Sequence, residues 1–524
     1  MPPARWAEDS QSGMRPPAGT DKINPDERQR GRISKRALVI GAVMVAMAMI
    51  SLEMTIVSIA MPQIVAQLGG LRLYSWVFSS YSLTQMAMTV VFGKLADAYG
   101  RKRIMLTGIT IFALGSFLAG FSWSMPSMIV FRLIQGVGAG AILPIALTII
   151  ADHYPGTERG KIQGYIASVW AISALIGPMA GAFILSAFSW AWIFWMSVPF
   201  GVAAAISFIV FLENDRGHDV PSIDFIGATL FTMACTCLMI AATEATSMGP
   251  VRVFLWCAGC CVCALLFVLQ ERRARDPIVA FDLWRQRPIA AVNGTALVTG
   301  VGLMGLTTFV PMYVRGVLQQ TPVIAGLALT TVMIGWPVGA TVAARTFTKV
   351  GLRRMLFIGA TLLPVGSGTL ALLTQSSSWV ATALGSATMG VGMGLVNVSS
   401  MLIIQGLVER TQRASVTAAN LFSRNLGSTL GVTLLGAVFN FGISHHGGLL
   451  VTSEQLRHLL DAPRDFTLTS AATTVALQSA LHITFCALFV ICFLSAVSAS
   501  FVPPLRIDPR AIRTVEPDLK SIAG

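Results

Sequence analysis

The sequence predicts an all-α integral membrane protein with fourteen transmembrane helices, arranged as two six-helix halves with two helices inserted between them. Three observations lead to this fold class. Hydrophobic residues make up 54% of the 524 residues and charged residues only 12%, whereas soluble domains carry about 25% charged residues. Apolar stretches long enough to cross a bilayer recur along the chain, and a pattern in its first part returns in its second.

Fourteen apolar stretches have the roughly 20 residues that a membrane helix needs. They begin near Ala37, Leu73, Ile104, Ser127, Tyr165, Trp190, Ile223, Val251, Pro288, Ile324, Met355, Trp379, Ser415 and Thr474. The stretches divide the chain into a polar tail predicted to be cytoplasmic and disordered, a first six-helix half, two inserted helices with a cytoplasmic linker, a second six-helix half and a second cytoplasmic tail. These segments cover residues 1–36, 37–212, 213–287, 288–502 and 503–524.

The basic residues indicate the orientation of the chain. The formal net charge is +13, and lysines and arginines cluster between the apolar stretches. If the N-terminus is cytoplasmic, nearly all of them fall on the cytoplasmic side. The exceptions outside are Arg72, Arg252, Arg315, Arg457 and Arg464. Because cytoplasmic loops are enriched in basic residues, both termini are predicted to be cytoplasmic, in an inner or plasma membrane. The basicity therefore indicates contact with the lipid bilayer and no nucleic-acid partner.

Parts of the two halves resemble each other. The stretch GKLADAYGRKR at residues 93–103 returns as ARTFTKVGLRR at residues 344–354, and GVGAG at residues 136–140 returns as GVGMG at residues 390–394. Internal repeats of this kind are common in secondary transporters. The nearly constant spacing predicts two related halves, with the seventh and eighth helices inserted between them.

Glu53 lies deep within an apolar stretch, and Arg132 is predicted at a similar depth in the fourth helix. A charged side chain in the middle of a membrane helix costs about 2.5–3.5 kcal/mol on insertion scales, so it marks a functional site by default. An apolar surrounding favours the neutral form of a carboxyl group, which suits a group that binds and releases protons. We therefore expect Glu53 to carry protons and Arg132 to tune it. The alternatives are a neutral Glu53 bonded to a neighbouring helix and an Arg132 bonded to backbone carbonyls.

The short loop between the second and third helices is a candidate conformational switch. It contains Gly93, Asp97, Gly100 and Arg101, and the spacing allows the acid and the base to pair and separate.

The fifth helix contains Gly177, Pro178 and Gly181, with Ser173 one turn earlier. Small residues four apart allow close approach of helices, and proline removes one backbone hydrogen bond. This combination favours a sliding or bending contact. From the residues alone, this helix and the loop before the third helix could equally be determinants of packing and topology.

Arg424 also lies in an apolar stretch, where it either has a function or anchors its helix by reaching the membrane surface. The sequence contains no G-x-x-x-x-G-K-[ST] phosphate-binding loop, so energy is expected from a proton gradient or from a partner. No cofactor or metal is expected. The histidines are scattered, which argues against an enzyme; they are His153, His218, His445, His446, His458 and His482.

Several motifs together resemble the major facilitator superfamily. The stretch from Gly93 to Arg103 matches its loop signature G-x-L-x-D-x-x-G-R-[KR], and RLIQGVGAG from Arg132 matches its fourth-helix signature R-x-x-Q-G-x-G. GPMAG from Gly177 resembles the antiporter signature G-x-x-x-G-P-x-x-G-G. The resemblance implies that Asp97 and Arg101 latch one access state, that Arg132 assists proton transfer, and that the fifth helix belongs to an antiporter.

Two further motifs resemble the fourteen-helix drug:proton antiporters, a multidrug efflux family. LEMTIVSIAMP at residues 52–62 resembles L-D-x-T-I-V-N-V-A-L-P, and SWAWIFWMSVPFG at residues 189–201 resembles W-R-W-I-F-W-I-N-V-P. The departures are Glu53 for Asp, Ser58 for Asn, Ala191 for Arg and Ser197 for Asn. The retained acid agrees with proton coupling, whereas the other changes bear on the substrate and the stoichiometry.

The expected function is proton-coupled export of small amphipathic or cationic compounds by alternating access of the two halves. The partners are a small-molecule substrate, protons and the bilayer, and accessory efflux proteins stay an open question. The alternatives are an exporter or proton symporter of one specific metabolite and a membrane sensor that transports nothing.

Overall fold

The computed structural model describes residues 25–69, 73–154, 156–213, 224–243, 249–274, 285–447 and 471–503. The helices of the first half are α1 Pro25–Leu68, α2 Tyr74–Tyr99, α3 Arg101–Ala119, α4 Met125–His153, α5 Gly156–Ala187, α6 Ala191–Trp195 and α7 Ser197–Phe211. The helices that follow are α8 Phe225–Thr243, α9 Pro250–Glu271, α10 Arg287–Gly316, α11 Pro322–Val350, α12 Leu352–Ala371, α13 Trp379–Leu407, α14 Arg413–Gly447 and α15 Ala471–Ser500. A 3₁₀ turn, Arg410–Gln412, precedes α14.

Eleven helices of the described residues are long and apolar enough to cross a membrane, with α6 and α7 together forming one of them. The count of fourteen spans stays a prediction, because α2, α5 and α8 are not among the eleven. Serines and threonines lower the hydropathy of α2, and the first turns of α5 are charged. The apolar part of α8 is shorter, from Ile226 to Ala241.

The first helix begins earlier than the sequence analysis predicts. Residues 25–36 were expected to belong to a disordered tail, but α1 begins at Pro25 and continues to Leu68. This stretch, PDERQRGRISKR, begins with proline at the first helical position and contains Glu, Gln, Lys and Arg, which are good helix formers. Residues 1–24 and 504–524 lie outside the described residues.

The loops before α3 and α12 show the same backbone geometry in the two halves. Gly100 joins α2 to α3 with φ 92° and ψ 144°, and Gly351 joins α11 to α12 with φ 89° and ψ 143°. Residues with a Cβ rarely adopt this positive φ, so glycine allows each pair of helices to be joined by one residue. The repeated stretches at residues 93–103 and 344–354 therefore have equivalent places in the fold.

The glycine repeats in α4 and α13 also have equivalent surroundings. Gly136 and Gly140 face α2 and Gly138 faces α3, while Gly390 and Gly394 face α11 and Gly392 faces α12. In each half, three glycines two residues apart allow one helix to approach two neighbours at backbone contact distance.

The two halves are joined at one end of the bundle, which we call the basic end. Its basic side chains are Lys94, Arg101, Lys102, Arg103, Arg353, Arg354, Arg410 and Arg413. Here a single hydrophobic core includes buried residues of both halves, such as Met47, Ile149, Phe347 and Ile404. Farther from this end each half has a separate core, with Ile56 and Ile64 in the first and Val310 and Phe439 in the second.

The inserted helices lie beside the seam between α2 and α14. Phe231 of α8 packs against Phe422 of α14 with ring centroids 5.0 Å apart, and against Phe267 of α9 at 5.2 Å. The same cluster includes Leu83 and Met86 of α2. The first inserted helix therefore contacts both halves, and α9 packs against it from outside.

A methyl group at Gly394 is expected to destabilise the protein. A Cβ there would overlap the carbonyl oxygen of Trp336 and approach the backbone nitrogen of Ala340 to 2.6 Å. Overpacking of this kind costs about 1–3 kcal/mol. We expect Gly394→Ala to lower the midpoint of thermal unfolding of the purified protein, measured by tryptophan fluorescence.

Gly406→Ala is the matched control, because Gly406 lies in the same helix with nothing within 4 Å of the point that a Cβ would occupy. Replacing glycine by alanine within a helix gains about 0.5–1 kcal/mol when space is available. Equal midpoints for the two variants would contradict the close packing of α13 on α11.

Candidate functional site

Glu53 is buried in α1 and its carboxylate is surrounded by polar side chains from three other helices. Oε1 lies 2.7 Å from Nη1 of Arg132 in α4. Oε2 accepts hydrogen bonds from Ser116 of α3 and Ser197 of α7, each at 3.1 Å. All of these side chains are buried, with Glu53 3% and Arg132 2% exposed. The ion pair is therefore shielded from both lipid and water.

Gln135 completes a closed ring with the ion pair. Its Oε1 accepts a hydrogen bond from Arg132 Nη1 at 2.6 Å, and its Nε2 donates to the hydroxyl of Ser116 at 2.6 Å. Because Ser116 donates in turn to Glu53, four side chains from α1, α3 and α4 form a continuous circuit. We call Glu53, Arg132, Gln135, Ser116 and Ser197 the α1–α4 polar ring.

Arg132 has two further contacts with α2. Its Nε donates to the carbonyl oxygen of Val77 at 3.3 Å, and its guanidinium lies over the ring of Tyr81, 4.2 Å from the centroid. The face of an aromatic ring attracts a cation. Arg132 is thus held by α2 and α4 whether or not Glu53 is ionised.

Glu53 and Arg132 are predicted from the sequence to lie at a similar depth, and the structure brings them into direct contact. Ser116 and Gln135 are not among the predicted site residues, and Ser197 stands out in the sequence only as a departure from a motif. Gln135 could have been found, because it is the Gln of the signature R-x-x-Q-G. Ser116 has no such signal, since serines are common in membrane helices.

Asp97 binds the first turn of a helix in the other half. Its Oδ2 accepts hydrogen bonds from the backbone nitrogen and the hydroxyl of Ser415, both at 2.8 Å, and its Oδ1 accepts from the backbone nitrogen of Ala414 at 3.2 Å. The first N–H groups of a helix have no partner within the helix, and a carboxylate there is favoured by the helix dipole. Asp97 of α2 therefore caps α14.

Asp152, at the end of α4, binds arginines from both halves. Its Oδ2 lies 2.5 Å from Nε of Arg101, and its Oδ1 lies 3.0 Å from Nη1 of Arg413 and 3.7 Å from Nε of Arg410. Arg101 also donates to the carbonyl oxygen of Arg410. Asp152 is therefore the centre of an ion-pair network that joins α3 and α4 to the start of α14.

The predicted pair of Asp97 and Arg101 is present at 3.6 Å, but it is longer than the contact of Arg101 with Asp152. Asp152 is not among the residues predicted from the sequence, because its partners Arg410 and Arg413 come from the other half. No local pattern marks them.

Gly93, one turn before Asp97, lies where α2 packs against α14. A Cβ at Gly93 would overlap the Cβ of Ala418 and lie 3.1 Å from the carbonyl oxygen of Ala414. With Gly100 at the end of the same helix, these glycines allow the cap and the ion pairs at the basic end to form.

The antiporter-like helix α5 packs against α1 close to Glu53. A Cβ at Gly177 would overlap the hydroxyl of Thr55, and Ser51 donates a hydrogen bond to the hydroxyl of Ser173 at 2.7 Å. Gly181 is buried one turn farther. The helix continues through Pro178, whose side chain is outside the described residues. The α1–α5 contact therefore lies within one turn of the α1–α4 polar ring.

Arg424 points into the bundle. Its Nη1 donates to Oδ1 of Asn397 in α13 at 2.9 Å, and its guanidinium lies 5.9 Å from the ring centroid of Trp336 in α11. Asn397 lies ten residues before the end of α13, roughly 15 Å from the basic end at 1.5 Å per residue. The structure therefore does not show Arg424 as an anchor that reaches the membrane surface.

Metal-ligating side chains do not cluster in the part of the chain that the structure describes. Those residues contain no group of three or more His, Cys, Asp or Glu side chains that could hold a metal ion. The eight cysteines are all free.

Two halves with equivalent glycine geometry, joined at one end of a membrane helix bundle, are the architecture of a membrane transporter of small molecules. The chain belongs to the Major Facilitator Superfamily, whose family model matches residues 43–432. This superfamily consists of transporters and not of enzymes, and the protein is a multi-pass membrane protein.

Two relatives come from Bacillus subtilis strain 168. The chain is 32% identical over 446 residues to the multidrug transporter protein MdtP, an alignment that covers 83% of this chain and 80% of that protein. It is 33% identical over 415 residues to multidrug resistance protein 3, covering 77% of this chain and 80% of that protein.

Two solved structures share the fold. The human organic anion transporter MFSD10 (TETRAN) has a TM-score of 0.60 at 14% identity, covering 87% of this chain and 99% of that chain. The proton:xylose symporter XylE has a TM-score of 0.58 at 12% identity, covering 90% and 97%. At these identities the similarity concerns the fold alone.

Removal of the Asp152 charge is expected to loosen the basic end. Asp152→Asn leaves Arg413 without its carboxylate and Arg101 with only the longer contact to Asp97, and breaking a buried ion pair from one side costs about 3–5 kcal/mol. In a protein whose eight cysteines are replaced, a cysteine introduced at Ala418 should react several-fold faster with a maleimide in Asp152→Asn than in the parent.

Glu158→Gln is the matched control, because Glu158 is an exposed acid near the same end. Its labelling rate should stay within twofold of the parent. Equal rates for all three proteins would show that Asp152 does not hold the halves together.

Proposed function

We propose that this protein is a proton-coupled exporter of small amphipathic compounds, working by alternating access of two six-helix halves. The single observation that carries the proposal is the buried ion pair of Glu53 and Arg132 within the α1–α4 polar ring. The relatives from Bacillus subtilis, whose names describe multidrug transport and multidrug resistance, support the direction and the substrate class.

Glu53 is the proposed proton carrier. When it is ionised, it balances the charge of Arg132 and accepts two serine hydrogen bonds. When it is protonated, Arg132 keeps its charge, because arginine does not lose its proton in proteins, and the attraction between α1 and α4 weakens. Protonation therefore changes the free energy of the contact between α1 and α4. Proton binding can drive a conformational change only if it alters the relative free energies of the conformations.

The α1–α5 contact is the proposed route from the proton to the rest of the transporter. Thr55 follows Glu53 by two residues and lies directly against Gly177, while Ser173 binds Ser51 on the same face. A shift of α1 after protonation must therefore move against α5. Gly177 lets α1 lie close to α5, Gly181 adds a second small residue one turn farther, and Pro178 lacks a backbone N–H, which allows α5 to bend there.

The basic end is the proposed cytoplasmic gate. Gly93, Asp97, Gly100 and Arg101 hold the gate closed by capping α14 and by joining Arg101 to Asp152. In the opposite access state, these contacts must separate, so that water replaces the cap of α14. Closing this gate needs no bound ligand, because all of the groups that form its hydrogen bonds and ion pairs belong to the protein.

The finer organisation of the chain is part of the same proposal. We assign fourteen spans, with α2, α5 and α8 crossing the membrane as well, and we place the basic end and both termini in the cytoplasm. The divisions at residues 36/37, 212/213, 287/288 and 502/503 then separate the tails, the halves and the inserted pair, although α1 itself begins at Pro25.

The acidic residues bear on the class of compound that the protein exports. A carboxylate that is free to face the substrate favours a permanent cation, although aromatic rings can also bind one. In the part of the chain that the structure describes, Glu53 is engaged by Arg132, and Asp97 and Asp152 are engaged at the basic end. We therefore place amphipathic compounds first in the proposed class and keep cationic compounds as its alternative.

Glu53→Gln is expected to abolish proton coupling. The amide can keep hydrogen bonds with Ser116 and Ser197, but it cannot bind or release a proton. In inverted vesicles acidified by respiration, amphipathic compounds should release the proton gradient with the parent protein. The rate should fall at least tenfold in Glu53→Gln, as followed with a pH-sensitive fluorescent dye.

Glu53→Asp keeps the titratable group and should retain part of the activity, and Glu158→Gln should behave as the parent. Vesicles without the protein supply the baseline. A parent-like release of the gradient in Glu53→Gln would remove Glu53 from the proton path.

A further inference from the structure

We propose that Arg424, Asn397 and Trp336 form a binding site for the carboxylate of an amphipathic organic anion, in the space between the two halves. We call these three residues the anion subsite. The inference rests on the proposed export function, and it names the chemical class of the substrate. It starts from the charge of Arg424, which no carboxylate within the described helices of its own half can balance.

The six helices of the second half contain no acidic residue at all. The sequences of α10, α11, α12, α13, α14 and α15 include neither Asp nor Glu. Arg424 nevertheless lies eleven residues into α14, roughly 16 Å from the helix start at 1.5 Å per residue. That distance places it near the middle of a hydrocarbon layer about 30 Å thick, where transporters of this general kind bind substrate.

The first half does not supply a counter-charge either. Among the described residues, its one acid at membrane depth is Glu53, which Arg132 binds at 2.7 Å. The guanidinium of Arg424 donates a hydrogen bond to the side chain of Asn397 and lies over the ring of Trp336. Neither an amide oxygen nor an indole carries a net charge, so the described residues leave the positive charge of Arg424 without a counter-charge.

The three residues lie directly beyond the closed gate. Arg424 is six residues beyond Ala418, which contacts Gly93 of α2. Trp336 is eight residues before Ala344, which contacts Gly160 of α5.

Asn397 fits the same pattern, because it is eight residues before Gln405, whose Nε2 donates to the carbonyl oxygen of Leu147 in α4 at 3.5 Å. Each helix of the anion subsite thus touches the first half about two turns nearer the basic end. Beyond those contacts the hydrophobic cores of the halves are separate. The three side chains are half-buried, as expected for residues at the floor of the space between the halves.

The chemistry of the subsite matches a carboxylate attached to an aromatic or apolar body. Arginine presents five N–H donors in a planar fork that fits a carboxylate with two parallel hydrogen bonds. Asn397 accepts from one of the five donors of Arg424. The Nδ2 group of Asn397 can donate as well. The indole of Trp336 offers a flat apolar face beside the charge, so it can cover the body of the same molecule.

The same charge disfavours permanent cations, which would meet Arg424 across a short distance in a poorly screened site. It also fits exchange with protons. Outward movement of an anion and inward movement of a proton both run with a membrane potential that is negative inside.

The test measures binding to the purified protein without any gradient. The probes are 1-naphthylacetate, indole-3-acetate and 4-phenylbutyrate, each compared with its neutral primary amide and with a trimethylammonium analogue of the same ring system. Affinities are measured by isothermal titration calorimetry. We expect the parent to bind at least one carboxylate ten or more times more tightly than the amide and the cation.

Arg424→Gln is expected to reduce that preference to within twofold, and Arg424→Lys to keep part of it, because the charge remains but the planar fork is lost. Arg252→Gln, which removes an exposed arginine near the start of α9, should bind as the parent does. The midpoint of thermal unfolding of Arg424→Gln should not fall below that of the parent, since the substitution removes an uncompensated charge.

The proposal is overturned if no carboxylate is preferred by the parent, if the cation binds most tightly, or if Arg424→Gln retains the preference. A lowered midpoint in Arg424→Gln together with an unchanged preference would make Arg424 a structural residue. Glu53→Gln should still bind the carboxylate. If the parent protein itself shows no gradient-driven export but keeps the carboxylate preference, the exporter function is contradicted and the subsite is not.

Discussion

The ion pair of Glu53 and Arg132 determines how the helices of the first half pack around it. A charge removed from water must be balanced within the protein, so the two helices that carry these residues have to lie side by side at one depth. The surrounding side chains follow from the same requirement, because Ser116, Ser197 and Gln135 satisfy the hydrogen-bonding capacity that the ion pair leaves. One titratable group thereby ties four helices together, and a change in its charge is felt by all of them.

The two halves are held by a different kind of interaction. At the basic end, the second half contributes a helix N-terminus, and the first half contributes the carboxylate of Asp97 that caps it. The helix α14 is thus completed by a residue of its partner half and not by its own sequence. An interface of this kind is specific, because the donors of α14 point in one direction, yet it can be exchanged for water when the halves separate. A large apolar interface alone would not offer that reversibility.

The sequence is informative where a residue type conflicts with its surroundings. Glu53 and Arg132 stand out because charges are rare in apolar helices, and the repeated glycines stand out because their spacing returns in the second half. The superfamily assignment follows from these patterns and was confirmed. Asp152 and its arginine partners could not be found in this way, since their contact exists only when both halves are folded together. The same holds for the first turns of α1, where a polar composition suggested disorder although its residues favour a helix.

The position of α8 makes the two seams between the halves unequal. Along the seam of α2 and α14, Phe231 and its neighbours form a screen between the halves and the surrounding lipid. Along the seam of α5 and α11, exposed side chains such as Ile176, Met179 and Ile334 face outward from the helices themselves. Acyl chains, and hydrophobic molecules dissolved among them, therefore approach the junction of the halves along the α5–α11 seam and not along the α2–α14 seam. Although the transporter is built from two similar halves, its two sides within the plane of the membrane differ.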